Sequence, residues 1–499
     1  MKKIFALTNR AIPGLVSIMT LVLLVFIPLY PKLPSLEISG SYVRVRLEDF
    51  VVAITFLIAL PLVWQKRKTL LKNKIGQAIV VYWLVGLAAT ISALFINRLI
   101  WPHLALLHYF RRIEYMGLFF LGFLAVRNKK DFKVFFTALL AVVCLIFFYA
   151  LGQKFYSLPA ISTMNEEFSK GTMIELDVWT RVSATFAGHY DLAIFMTMVI
   201  PLILSTFFFV KERGKKLALL TLFVACYYLL ILTASRVSFV AYLVSVSFLF
   251  IILNKKWWLP PVIALSLLGS FFSEDINQRF SATIKVEGPK IVQKASSTIR
   301  SFLPEKTDKK IVQVSPISPT PTPIIIEGGE EEEKSASSGP IVAKITPGPT
   351  IIPTTSEPSQ QEMAEIGVTR SGDIRFGVEW PRAIRHFKKN PILGTGYSSI
   401  TLATDNGYLR ALGETGSLGL LALLSIFLAQ IPLYQSLLKN PKTDHQAKFL
   451  AAALASGTLA ILTSMLFIDA LESSKVAFTY WLVLGLVVGR VNLEKRANS

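Results

Sequence analysis

Cysteine and histidine are nearly missing from this chain, with two and five among 499 residues. Cys144 and Cys226 both fall inside apolar runs, so they are expected as small core residues with no disulfide framework. No His or Cys stands at metal-ligand spacing, and no metal or other cofactor is expected. Acidic residues are scarce too, 32 against 52 Lys and Arg, for a net charge of +20. No basic and aromatic segment reads as a nucleic-acid module, which leaves membrane lipids as the expected counter-surface and nucleic acid as no partner. The chain also lacks the polarity of a water-soluble globule, being 53% apolar and only 17% charged.

What it has instead is apolar runs of about 17 to 23 residues, the length that crosses a bilayer core. The expected fold is an all-α polytopic membrane protein with about twelve transmembrane helices. They are read at 13–30, 49–64, 76–97, 104–126, 132–152, 188–210, 216–234, 237–254, 257–272, 416–437, 448–468 and 474–490. Seven segments on one side, the terminal ones included, hold 24 Lys and Arg against nine in the five short loops on the other, which places both termini in the cytoplasm by the positive-inside rule. Lys2, Lys3 and Arg10 before the first run resemble a signal sequence, but eleven further runs favour an uncleaved first helix.

Chemistry is sought among charged residues at the outer ends of these helices, because charge beside a bilayer is costly. Arg44, Arg46, Glu48 and Asp49 stand at the mouth of the second run, as a depth-setting charge network or a binding site. His108, Arg111, Arg112 and Glu114 lie a turn or two inside the fourth, where Arg111 and Glu114 are spaced to pair. The outer loop before the sixth ends in RVSATFAGHYDLA, bringing Arg181, Thr185, His189, Tyr190 and Asp191 to a helix start. Between the seventh and eighth runs, LTASRVSF turns the chain with almost no loop and holds Arg236 at the boundary. Snorkelling to lipid phosphate explains such an arginine. Arg181 and Arg236 together instead suggest a clamp for an anion.

By these readings residues 1–272 carry nine helices, and 273–303 open a long outer loop. Residues 304–365 form a Pro-, Thr- and Glu-rich insert, Pro304 to Pro358 holding 10 of the 25 prolines, and are expected to be disordered. Order is expected to resume over 366–415, with the last three helices and a cytoplasmic tail in 416–499. The stretch from Arg370 to Leu420 is the densest in candidate chemistry. Ile374, Val378, Trp380, Ile384 and Phe387 recur at helical spacing, with Arg375, Arg382, Arg385, Lys388 and Lys389 around them. That pattern predicts one or two helices on the membrane surface, with Pro381 starting or kinking one. A Gly394-Thr395-Gly396 turn follows, too short for a nucleotide motif. Thr404 or Asp405 is expected to cap the next helix, which carries Tyr408 and Glu414, and Gly413, Gly416 and Gly419 are spaced for close helix packing.

An Arg before TF…H.DLA, a T.SR turn, a long outer loop with R….W..A and PILGTG, then DN.YL..L.ETG..GL: this order resembles the O-antigen ligase and polymerase family. The match covers nearly the whole chain outside the Pro-rich insert. The resemblance implies a GT-C-like, metal-independent glycosyltransferase of the bacterial cytoplasmic membrane. Its donor would be a polyprenyl-diphosphate-linked glycan on the outer face, its acceptor a glycan, lipid or protein. Arg181, Arg236 and Arg375 match the family's arginines, which hold the diphosphate. Where ligases of the family carry an acceptor-activating His, this chain has Asp405 followed by Asn406. That departure points toward a polymerase or another acceptor, with Asp405 as base. His189, Arg370, Arg385, Tyr408 and Glu414 complete the expected substrate-binding set. The chemistry is self-consistent: arginines stabilise a leaving diphosphate, a carboxylate activates a hydroxyl, and attack opposite the leaving group inverts the anomeric centre. The rival class is a polytopic transporter, although the two halves show no repeat.

Overall fold

The computed structural model describes residues 2–38, 41–97, 100–162, 181–271, 372–400, 403–440 and 443–497, with positions 173–174, 176, 281 and 285. The Pro-rich insert and Arg370 lie outside the described residues. The chain is an all-α polytopic membrane protein. Among the described residues nine helices are long and apolar enough to cross a bilayer.

In chain order the helices are α1 (Lys2–Leu29), α2 (Leu47–Lys72), α3 (Lys74–Ile91), α4 (Pro102–Ala125), α5 (Lys129–Phe155), α6 (His189–Phe209) and α7 (Arg213–Leu232). After them come α8 (Arg236–Ile252), α9 (Leu259–Phe271), α10 (Trp380–Lys389), α11 (Gly407–Leu428), α12 (Ile431–Lys439), α13 (His445–Ser464) and α14 (Ser474–Ala497). Each apolar run of the sequence is helical, but α8 and α9 are short and α4 carries Arg111, Arg112 and Glu114.

Burial sorts the helices. In α6 and α14 most of the apolar stretch is enclosed by neighbours, whereas α2 and α7 turn most of theirs outward. Lipid takes the place of a protein core for those outward faces, so exposed Leu57, Trp64 and Leu217 need no partner within the chain. Close approach at the centre depends on missing side chains. A Cβ on Gly122 would meet the backbone of α14 at Leu482, and one on Gly489 would meet Phe123 of α4.

Two departures from the all-helical expectation lie at the loop end that holds Arg181, Arg375 and Asp405. Residues Pro34–Ile38 and Ser41–Arg46 form an antiparallel hairpin, β1 and β2, with Leu36 opposite Val45. The alternation in SYVRVR carries that signal. A second short pair, β3 (Ala160–Ile161) and β4 (Met173–Ile174), also forms. The third departure is inside α11. Close approach does occur there, a Cβ on Gly413 meeting Ala383 of α10 and one on Gly416 the Ile392 backbone, but the helix is broken at Gly416 (φ 68°, ψ −170°). Only glycine tolerates that backbone. The Pro391–Gly396 turn fits into the break: Ser417 N–H donates to Pro391 O at 2.9 Å, and Gly396 N–H donates to Glu414 O at 2.8 Å. The GTG turn therefore satisfies a helix break whose polar groups a bilayer could not serve.

Candidate functional site

The turn before α11 is built by Asp469. Its carboxylate accepts the Thr404 N–H at 2.9 Å and the Asn406 N–H at 3.2 Å, and it pairs with Arg410 at 3.1 Å. Asn406 is the helix cap, its Oδ1 accepting from the amides of Tyr408 (3.1 Å) and Leu409 (2.9 Å). The expected cap at Thr404 or Asp405 is thus displaced by one or two residues, because the preceding amides are already taken by Asp469. Asp405 itself adopts the left-handed region (φ 48°), uncommon away from glycine. Its Oδ2 accepts from Arg375 Nε at 2.9 Å and Nη2 at 2.8 Å.

Arg375 begins a π-helical turn, Arg375–Glu379, that leads into α10. Such turns insert a residue into the helical ladder and often mark functional sites. Tyr190 at the start of α6 lies close enough to act on the Arg375 guanidinium. The ring of Tyr190 lies 4.1 Å, centroid to centroid, from His189, whose Nε2 accepts a hydrogen bond from Arg181 Nη1 at 2.5 Å. An arginine can only donate, so the His189 proton resides on Nδ1. The Arg181 segment runs beside the tight turn that ends in Arg236, Val182 N–H donating to Leu232 O at 3.4 Å. Ala184, Ala234 and Asp405, each close in sequence to one of these groups, all have positive φ. Strained turns of this kind cluster at functional sites.

Glu379 ends the π turn. It is half-buried, and its Oε2 is shut from solvent with no hydrogen-bond partner. Burial first, then the Asp405 charge, push its carboxyl up to about 7, with Arg375 opposing. Asp405 is raised as well, by burial against the pull of Arg375. Trp380 packs against Phe376 and Phe467, docking the π turn and α10 onto the loop before α14. Arg385 stays exposed, and His386 Nδ1 contacts Thr395 Oγ1 at 2.9 Å. Burial and the nearby Lys389 hold His386 below the usual imidazole range.

Beside this site lies a largely buried charge cluster. Arg112 of α4 pairs with Glu472 and approaches Glu414 at 3.9 Å, and Arg410 lies 3.5 Å from Glu414. Glu414 is 2% exposed, so it belongs to this cluster rather than to the open surface. A cavity of about 30 Å³ between Arg112, Tyr397, Glu414 and Glu472 has room for a water. The Arg111–Glu114 pairing expected from helical spacing gives way to Arg111 with Asp49 at 3.1 Å, because the packing of α2 brings a carboxylate closer. Tyr408 uses its hydroxyl on Leu462 O at 2.8 Å, which ties α11 to α13.

Of the residues singled out by sequence, Arg181, His189, Arg375 and Asp405 join one linked set through Tyr190, with Arg236 on the neighbouring turn. Sequence reasoning missed Glu379, Asp469, Glu472 and Lys475. Lys475 is fully buried, its Nζ donating to the carbonyls of Tyr30 and Thr185, each at 2.6 Å, and of Pro28 at 3.1 Å. The signal for three of them was present in the polar FIDALESSK between two apolar runs. Among the described residues no group of His, Cys, Asp and Glu could hold a metal ion. The open set offers cations and hydrogen-bond donors for an anion, next to carboxylates that could exchange a proton. No model of a known protein family matches the chain, and no curated protein is significantly similar to it.

Proposed function

We propose that the chain is a metal-independent, inverting glycosyltransferase that polymerises or transfers a polyprenyl-diphosphate-linked glycan on the outer face of the bacterial cytoplasmic membrane. In this reading twelve helices span the membrane in a GT-C-like arrangement, both termini are cytoplasmic, and the π turn with α10 lies along the outer surface. The observation that carries it is the convergence of Arg181, His189, Tyr190, Arg375 and Asp405, from segments far apart in sequence, at one end of a membrane bundle. A donor bound through a lipid diphosphate needs cations at the bilayer edge, and these arginines meet that need.

Arg181, Arg236 and Arg375 would hold the diphosphate and balance the charge it gains as the glycosidic bond breaks. Asp405 would aim Arg375, since both guanidinium contacts converge on one of its oxygens. His189 would aim Arg181 in the same way, and Arg385 would face the substrate from α10. The acceptor would be a glycan, lipid or protein. Asp405 in place of a ligase-type histidine favours a polymerase.

Arg236→Ala or Arg375→Ala, followed by gel analysis of surface glycan, tests the reading. A polymerase loses long chains and accumulates single lipid-linked repeats. A ligase instead leaves full-length unattached polymer. Unchanged glycan from a stably expressed variant refutes the assignment.

A further inference from the structure

The geometry points to Glu379 as the group that takes the proton from the attacking hydroxyl, an inference that rests on the transfer reading above. Asp405, the carboxylate singled out by sequence, is already engaged. Two nitrogens of Arg375 converge on its Oδ2, so taking a proton there would cost that bidentate contact, although burial raises its carboxyl. Glu379 closes the same π turn that Arg375 opens, the Trp380 N–H donating to Arg375 O across it. The groups that bear on its charge are Asp405 and Asp469, which oppose ionisation, and Arg375 and Arg382, which favour it. Its Oε2 is sealed and makes no hydrogen bond, so only the charges of Arg375 and Arg382 favour the anion there. Burial and Asp405 accordingly leave a carboxyl that exchanges its proton near neutral pH, where a general base works best.

In the proposed step the hydroxyl oxygen of the acceptor bonds to the anomeric carbon. The bond from that carbon to the diphosphate oxygen breaks, and its electron pair leaves with the diphosphate. The hydroxyl proton passes to the Glu379 carboxylate and from there to water once the product moves away. The arginines offset the charge on the departing diphosphate while Glu379 removes the charge from the nucleophile. The division of labour separates two carboxylates that come from different segments of the stretch: Asp405 positions a cation, and Glu379 handles the proton.

The test uses the full-length protein in vesicles of bacterial phospholipid. Undecaprenyl-diphosphate-linked repeats extracted from the native host's membranes serve as donor, and transfer is measured between about pH 5 and pH 9. The wild-type rate is expected to climb roughly tenfold per pH unit in acid and to level off above about 7. Glu379→Gln should lower kcat by about 10²- to 10⁴-fold, leave the donor KM in place and abolish the acid limb. Glu379→Asp should bring a limb back, and Asp405→Asn should slow transfer while keeping it. A flat wild-type profile, or an acid limb that persists in Glu379→Gln, overturns the assignment. If Glu379→Gln does not fold, the wild-type and Glu379→Asp profiles decide. A folded wild-type protein that consumes no donor overturns the transfer reading itself, whereas an active one whose acid limb ignores Glu379 overturns only the base.

Discussion

Two groups of charges sit side by side at the loop end of this bundle, sharing Asp469 as a common wall, and they differ in balance. In the inner group Arg112 and Arg410 face Glu414, Asp469 and Glu472, all within the protein and mutually paired. In the outer group Arg181, Arg236, Arg375, Arg382 and Arg385 outnumber Asp405 and Glu379, and Arg385 is exposed. A cluster already neutralised by its own carboxylates has no capacity for an anionic ligand. A surplus of partly open cations does. Charge at this end of the bundle therefore divides by who supplies the counter-charge, which no single residue reveals.

That contrast is sharpest when one partner is removed from each group. Glu472→Ala should cost the most stability, on the order of 3–5 kcal/mol, by stranding Arg112 in a buried setting. Thermal unfolding in detergent reads this loss, and Arg112→Met combined with Glu472→Leu should recover much of it. Arg375→Ala should instead leave the fold in place and slow transfer by about 10²- to 10³-fold, roughly 3–4 kcal/mol of barrier. If Arg375→Ala unfolded the protein while Glu472→Ala only slowed it, the division between scaffold and site would be reversed. Gly416→Ala should destabilise by about 1–3 kcal/mol from backbone strain alone, with more from the clash against Ile392, measured by the same melt. The smallest effect is expected from Asn406→Ala, about 1 kcal/mol for a lost cap. Its transfer rate should fall only as far as Asp405 shifts, so a full loss of activity there would bring Asn406 into the site.

The membrane character was legible in the sequence because length and hydropathy are local quantities. Twenty apolar residues read as a helix whatever surrounds them, and each such run is helical here. Arg236 could be placed at the end of an apolar run for a related reason: it stands directly beside that run in the sequence. The hairpin of SYVRVR was legible in its alternation but was overshadowed by the helical runs around it. The break at Gly416 was not, because GxxGxxG spacing fits a packed helix as well as a broken one. What breaks the helix is the Pro391–Gly396 turn, which offers its backbone to the gap and comes from 20 to 25 residues earlier in the chain.

The stretch from Arg370 to Leu420 was marked from the start by its polar residues, and its side chains could be named as candidates without coordinates. Their roles could not. Asp405 became a partner for Arg375, and not a cap, only because Asp469 and Asn406 had already satisfied the surrounding amides. Glu414 joined the buried cluster because α4 supplies Arg112, and Glu379 shares one π turn with Arg375. Local periodicity and bilayer length determined which segments are helices. Which charges neutralise one another depends on separations of a few ångströms between distant segments, and Coulomb energies at that range are set by the packed structure alone.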